Sequence, residues 1–167
     1  MNHHDYNPYQ TPNSDLTDDY HHDDECPPLY NPKAVAVWSF ILTPLLGAWL
    51  HAKNWEALGE DDLARQNLIA LWLMIAWFII TTLIDMMAGI EIPMVMYGLV
   101  PSVAWYFALG KQQITAFKEY LDDDYPRKSL WVAIPLGVIV IYIIILVITF
   151  ALTAILSSFG LLHANYQ

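Results

Sequence analysis

The sequence predicts an all-α membrane protein with four transmembrane helices, a cytoplasmic amphipathic helix and a disordered N-terminal tail. Of its 167 residues, 56% are hydrophobic and 14% are charged, whereas soluble domains carry about 25% charged residues. The charged residues fall in short stretches between long apolar runs. This distribution is typical of a protein that crosses a lipid bilayer several times.

Residues 1–33 form the first predicted unit, an acidic tail that contains histidines. The tail holds seven acidic residues and one base, Lys33. A chain of this composition buries too little apolar surface to offset the entropy lost on ordering, so we expect it to be disordered. Its polar start also lacks the basic and apolar regions of a signal peptide.

Four apolar segments form the second predicted unit, residues 34–160, and a short tail follows at residues 161–167. A helix needs roughly 20 apolar residues to cross a bilayer, and each segment is long enough. The predicted spans are residues 34–52, 67–88, 92–110 and 130–156.

Prolines weaken two of these spans. Pro44 lies inside the first, and Pro93 and Pro101 lie inside the third. Because each proline removes a backbone hydrogen bond, we expect kinks and a dependence on neighbouring helices.

The connection before the last span predicts an additional helix. Ile114, Phe117 and Leu121 recur at helical spacing, with charged residues elsewhere. This amphipathic pattern predicts a helix at residues 112–121 that lies on the cytoplasmic membrane surface through those three side chains.

The distribution of Lys and Arg predicts the orientation. Six of the seven bases lie in the 53–66 and 111–129 loops, which the positive-inside rule assigns to the cytoplasm. If all four segments span, the N- and C-termini are periplasmic. If the first segment is instead re-entrant, the N-terminal tail stays in the cytoplasm.

Several short stretches resemble those of known proteins. "NPYQTP" at residues 7–12 resembles the start of many small proteobacterial inner-membrane proteins. "PLLGAWLHAKNWEALGE" at 44–60, with Gln113 and "YPRKSLW" at 125–131, is similar to an uncharacterised group of such proteins. The resemblance implies a bacterial inner membrane and no particular activity.

The stretch "DDYHHDDEC" raises the question of a metal site. His21, His22, Asp23 and Cys26 are residue types that bind Zn²⁺ or Ni²⁺. Structural zinc sites, however, separate their ligands so that a turn can wrap the ion. Adjacent histidines in an acidic tail therefore favour a solvated tail, and we expect no metal and no cofactor.

Asp85 and Glu91 flank a short turn at the predicted periplasmic face. Ionisable groups in membranes often mark paths of ions or protons. Because both residues lie at a segment end, we expect interfacial residues, with a cation or partner site as the alternative.

The sequence excludes several classes of function. The net charge of −10 argues against nucleic-acid binding, and no catalytic motif is present, so we expect no enzyme. The leading hypothesis is a non-catalytic, multi-pass protein of the bacterial inner membrane, an accessory subunit, regulator or immunity-type protein. Besides the lipid bilayer, its expected partner is another membrane protein or a second copy. The alternative is a small homo-oligomeric transporter or channel.

Overall fold

A computed structural model describes residues 26–122 and 124–162, apart from the side chain of Met94. Every regular element in this part of the chain is helical, which confirms the all-α prediction. The elements are α1 (Pro32–Ile41), α2 (Pro44–Ala57), α3 (Asp61–Ala88), α4 (Met94–Trp105), a π-helical turn (Tyr106–Gly110), α5 (Lys111–Tyr120) and α6 (Leu130–Ser158).

The first apolar segment forms two helices, which corrects the prediction of a single span over residues 34–52. Proline disfavours helical backbone in the residue before it, and Thr43, which precedes Pro44, is extended with φ −170° and ψ 138°. The Thr43 hydroxyl accepts a hydrogen bond from the Leu45 amide and so caps α2. Pro44 therefore begins a new helix and does not merely bend an existing one.

These two helices pack against each other as an antiparallel hairpin. Val35 of α1 shares a cluster with Leu46 and Leu50 of α2, and the packing brings Ser39 against Gly47. With 10 residues, α1 is about 15 Å long, half of a hydrocarbon core of about 30 Å. The hairpin is thus too short to cross a bilayer, and its tip is the 42–45 turn.

Two helices of the described chain are long and apolar enough to cross a membrane, α3 with 28 residues and α6 with 29. At 1.5 Å per residue they measure about 42 and 44 Å. Gly89 ends α3 with a φ of 62°, a left-handed conformation that favours glycine. The four-span prediction thus has two helices of sufficient length in support.

The third long helical run consists of α4, the π-helical turn and α5, which follow without a break from Met94 to Tyr120. Trp105 in this run packs beside Met74 of α3, and Tyr97 lies beside Phe78. The run is therefore antiparallel to α3. In contrast, α6 runs parallel to α3, since Leu156 clusters with Met86.

Apolar side chains cover much of the outer surface of α6. Trp131 is 89% exposed and Phe150 is 75% exposed. Gly137 gives α6 its close contact with the hairpin, because a Cβ at this position would collide with the side chain of Leu46. Soluble monomers rarely expose apolar patches of this extent.

The segment before α1 is packed into the protein. The Leu29 amide donates to the Pro126 carbonyl at 2.8 Å, and the Lys128 amide donates to the Leu29 carbonyl at 2.8 Å. Leu29 is fully buried in a cluster with Phe117 and Tyr125. The predicted disordered tail therefore extends too far at its 26–33 end, while residues 1–25 lie outside the described part of the chain.

Lys and Arg residues are concentrated at one end of the bundle. Because the hairpin returns the chain to its starting side, one end of the bundle, here called the basic end, holds all seven bases: Lys33, Lys53, Arg65, Lys111, Lys118, Arg127 and Lys128. The opposite end, here called the acidic end, carries Asp85 and Glu91.

Candidate functional site

Two buried amide side chains join three parts of the chain near the basic end. Asn54 Oδ1 accepts from the Tyr30 amide at 2.8 Å, and Asn54 Nδ2 donates to the Tyr30 carbonyl at 2.8 Å. Nδ2 also donates to Gln113 Oε1 at 3.1 Å, and Gln113 Nε2 donates to the His51 carbonyl at 2.9 Å. We call Asn54 and Gln113 the amide clamp, because they fasten the pre-α1 segment, α2 and α5 together.

A second polar contact joins α3 to α4. The indole Nε1 of Trp105 donates to Asn67 Oδ1 at 3.2 Å, and Asn67 Nδ2 donates to the Leu63 carbonyl at 3.0 Å. The same indole packs edge-on against His51, with ring centroids 4.9 Å apart. Both rings are buried, so this contact holds the hairpin against the third helical run.

His51 lies fully inside the protein. Its Nε2 lies 3.4 Å from the Pro32 carbonyl, and Nδ1 has no hydrogen-bond partner among the described residues. The imidazole is thus a packed element of the hairpin, with no second titratable side chain within hydrogen-bonding distance in the described chain.

Beyond the hairpin tip lies a cavity of about 570 Å³ between α3, α4 and α6, here called the outer cavity. Its floor is the hairpin tip, and its wall is mainly aliphatic and aromatic. The lining side chains with polar or aromatic groups are Thr43, Phe78, Thr82, Asp85, Tyr97, Tyr142 and Thr149. Because the hairpin ends halfway along the bundle, the described residues leave the remaining space between the long helices unfilled.

Among the described residues, Asp85 is the only charged one that lines the outer cavity. The hydroxyl of Tyr97 donates to Asp85 Oδ2 at 3.0 Å, and the ring of Tyr97 packs on Phe78 with centroids 5.9 Å apart. The Tyr97 hydroxyl therefore holds the carboxylate at the acidic end of the cavity. Such an arrangement suits the binding of a cation.

Asp85 and Glu91, predicted together as a polar or partner site, are separated by the structure. Asp85 is half-buried at the cavity, whereas Glu91 is exposed and lies outside its lining. The candidate site therefore contains only the first of the two acids.

The three side chains assigned to membrane docking differ in exposure. Phe117 is 1% exposed and packs edge-on against Trp55 and Tyr125, while Ile114 and Leu121 are half-buried. Phe117 is therefore covered by protein, while Ile114 and Leu121 stay partly exposed, and docking of α5 on the membrane surface remains a prediction.

The metal candidates fall mostly outside the described residues, which exclude His21, His22 and Asp23. Cys26 is half-buried beside the cluster of Leu29 and Phe117. Within the described chain, no three potential metal-ligating side chains come together.

Comparison with known proteins finds no matching family model, no similar curated protein and no similar solved structure. The features that bear on function are the concentration of Lys and Arg at one end, the exposed apolar helices and the outer cavity.

Proposed function

We propose that this chain is a non-catalytic integral protein of a bacterial inner membrane that acts through a partner membrane protein. In this proposal α3, α4 with the π-helical turn, and α6 cross the bilayer, while the α1–α2 hairpin enters from the cytoplasmic side and returns. The proposal is based mainly on the exposed apolar surface of α6. Contact between so large an apolar surface and water is unfavourable, so lipid or another protein covers it in this proposal.

The distribution of Lys and Arg supports this orientation. The basic end holds all seven Lys and Arg residues of the chain, and cytoplasmic loops carry an excess of these residues. The four-span alternative would place Lys33 with the periplasmic tail, whereas the hairpin returns Lys33 to the side of the other bases. The proposal therefore places both the 53–66 and 111–129 loops and the N-terminus in the cytoplasm, with the C-terminus outside.

A non-catalytic role agrees with the use of the buried polar groups. The amide clamp and the Asn67–Trp105 pair use their hydrogen bonds to join helices. Helices in membranes associate through close packing and such polar contacts. By contrast, the outer face of α6 lacks a partner within the described chain, so we assign partner binding to that face.

The test is purification of the tagged protein from its native membrane in mild detergent. The proposal expects a second membrane protein in fixed stoichiometry. A pure homo-oligomer that carries solute flux in liposomes would overturn it in favour of a small transporter or channel.

A matched pair of variants locates the contact. Phe150→Ala alters an exposed side chain on α6, and Phe107→Ala alters one of similar exposure, 70%, on the π-helical turn. We expect the first variant to lose the partner and the second to retain it. Equal retention by both variants would remove the argument for α6 as the interface.

A further inference from the structure

We propose that the outer cavity binds a single-chain amphiphile with an ammonium headgroup, its alkyl chain in the cavity and its headgroup against Asp85. This site goes beyond the proposed function and does not depend on a partner at α6. The proposal rests on the size of the cavity, its lining and its one charge.

The size of the cavity suits one small ligand. Its volume of about 570 Å³ falls within the range of roughly 300–1,000 Å³ for small-molecule sites. Along α3 the lining extends from Met74 to Met86, about 18 Å at 1.5 Å per residue. This length suits an extended alkyl chain.

The lining separates into an apolar part and a polar end. Toward the hairpin tip the wall is formed by Leu45, Met74 and Ile145, which match an alkyl chain. At the acidic end the carboxylate of Asp85 accepts a hydrogen bond from the Tyr97 hydroxyl. A carboxylate attracts an ammonium group and repels an anionic headgroup.

A bare metal ion fits this site less well. Hard cations require six or more oxygen ligands, and the described residues bring no three potential ligating side chains together. An organic cation needs only one carboxylate, while its chain occupies the apolar part. The chemistry of the lining therefore selects a cationic amphiphile.

The test uses a photoreactive dodecylammonium probe with a diazirine in its chain. The full-length protein is placed in phosphatidylcholine nanodiscs, and crosslinked peptides are mapped by mass spectrometry. Matched probes carry a sulfate or a hydroxyl in place of the ammonium group. We expect the ammonium probe to label the cavity-lining parts of α3, α4 and α6 at least several-fold more than the other two.

Three variants test the assignment of the residues. Asp85→Asn should abolish the preference for the ammonium probe, and Glu91→Gln, which removes an equal charge outside the cavity, should preserve it. A Cβ at Gly98, which lines the cavity, would have no neighbour within 4 Å, so Gly98→Leu should fill the space and reduce labelling by all probes.

Two results would overturn the proposal. Equal labelling by the three probes would show that the cavity binds alkyl chains without selecting the headgroup. Labelling confined to the outer face of α6 would show ordinary lipid contact. If Asp85→Asn does not fold, Asp85→Ser provides the second variant without the charge, and an unchanged preference for the ammonium probe after removal of the charge would also overturn the proposal.

Discussion

Asn54 makes three hydrogen bonds from one buried amide, and this makes it the residue on which the basic end most depends. Asn54→Ala would leave the Tyr30 backbone groups and Gln113 Oε1 without these hydrogen-bond partners. Each buried group left without a partner costs about 1–3 kcal/mol, so we expect the free energy of unfolding to fall by about 3 kcal/mol. Unfolding in mixed micelles, followed by tryptophan fluorescence, measures this change.

The matched control for this prediction is the neighbouring residue Lys53. Its Nζ lies 2.6 Å from Glu56 at the surface, with 46% of the Lys53 side chain exposed. Exposed ion pairs contribute about 0–1 kcal/mol, so Lys53→Ala should leave stability nearly unchanged. Equal losses in the two variants would show that Asn54 is not a special contact.

Gly47 lets the two arms of the hairpin approach each other. A Cβ at this position would collide with Ser39 and would lie 2.7 Å from Cη2 of Trp105. We therefore expect Gly47→Ala to destabilise the protein, and Ser39→Gly to restore part of the loss. Thermal unfolding of the single and double variants measures the coupling. Gly98→Ala, which has open space, is the control, and additive losses would contradict the assigned contact.

The sequence could not predict the amide clamp. Asn54 and Gln113 are 59 positions apart, and neither stands out among the polar residues of its stretch. Both occur in stretches that carry the resemblance to inner-membrane proteins, but the resemblance assigned them no role. Only the tertiary packing of α2 against α5 shows that the two amides meet.

At the scale of elements, helical periodicity identified the apolar face of α5 but not what covers it. The pattern of Ile114, Phe117 and Leu121 is the same for a helix docked on lipid and one packed on protein. At Phe117 the structure shows protein, because Leu29 and Tyr125 close over this ring. Leu29 and Tyr125 lie outside α5 in the sequence, so the pattern of residues within α5 cannot predict their contacts.

Phe117→Asp tests the packing of α5. Because this ring is 1% exposed, a carboxylate would be buried without a partner, and we expect a loss of several kcal/mol and poor folding. Tyr120→Asp, at a position 82% exposed on the same helix, should have little effect. Size-exclusion profiles and thermal unfolding distinguish the two, and normal stability of Phe117→Asp would contradict the buried position.

Truncations test the segment before α1. Removing residues 1–25 leaves Leu29 and its two backbone hydrogen bonds in place, so we expect little change in stability. Removing residues 1–31 deletes Leu29 and the Asn31 side chain that caps α1, and we expect a clear fall in thermal stability. Similar melting curves for both truncations would contradict the packed role of this segment.

The hairpin shows where counting apolar residues fails. Residues 34–52 are long enough and apolar enough for a span, and composition alone predicted one. The reversal depends on Thr43 and Pro44, where extended backbone before proline interrupts the helix. Proline at this position predicted a kink, but the sense and size of the bend are set by packing of α1 on α2.

At the scale of the whole molecule, Lys and Arg are confined to one end, and this distribution was largely predictable. The positions of six bases in two loops are enough to predict the orientation of the later helices. They do not predict the side of the N-terminus, because that depends on whether the first segment crosses the bilayer. The hairpin supports the re-entrant alternative and adds Lys33 to the basic end.

The side of the N-terminus is therefore the sharpest test of the proposed topology. Cys26 is the only cysteine and is half-buried, so the experiment starts from Cys26→Ser and adds one new thiol at a time. Ser14→Cys reports the N-terminal tail, and Ser158→Cys, at the exposed end of α6, reports the opposite side. In intact spheroplasts a membrane-impermeant maleimide should label Ser158→Cys alone, because three crossings separate the two positions. After lysis both thiols should react. Labelling of Ser14→Cys in intact spheroplasts would require the 32–57 region to cross the bilayer. That result would support the four-span topology and contradict the re-entrant hairpin.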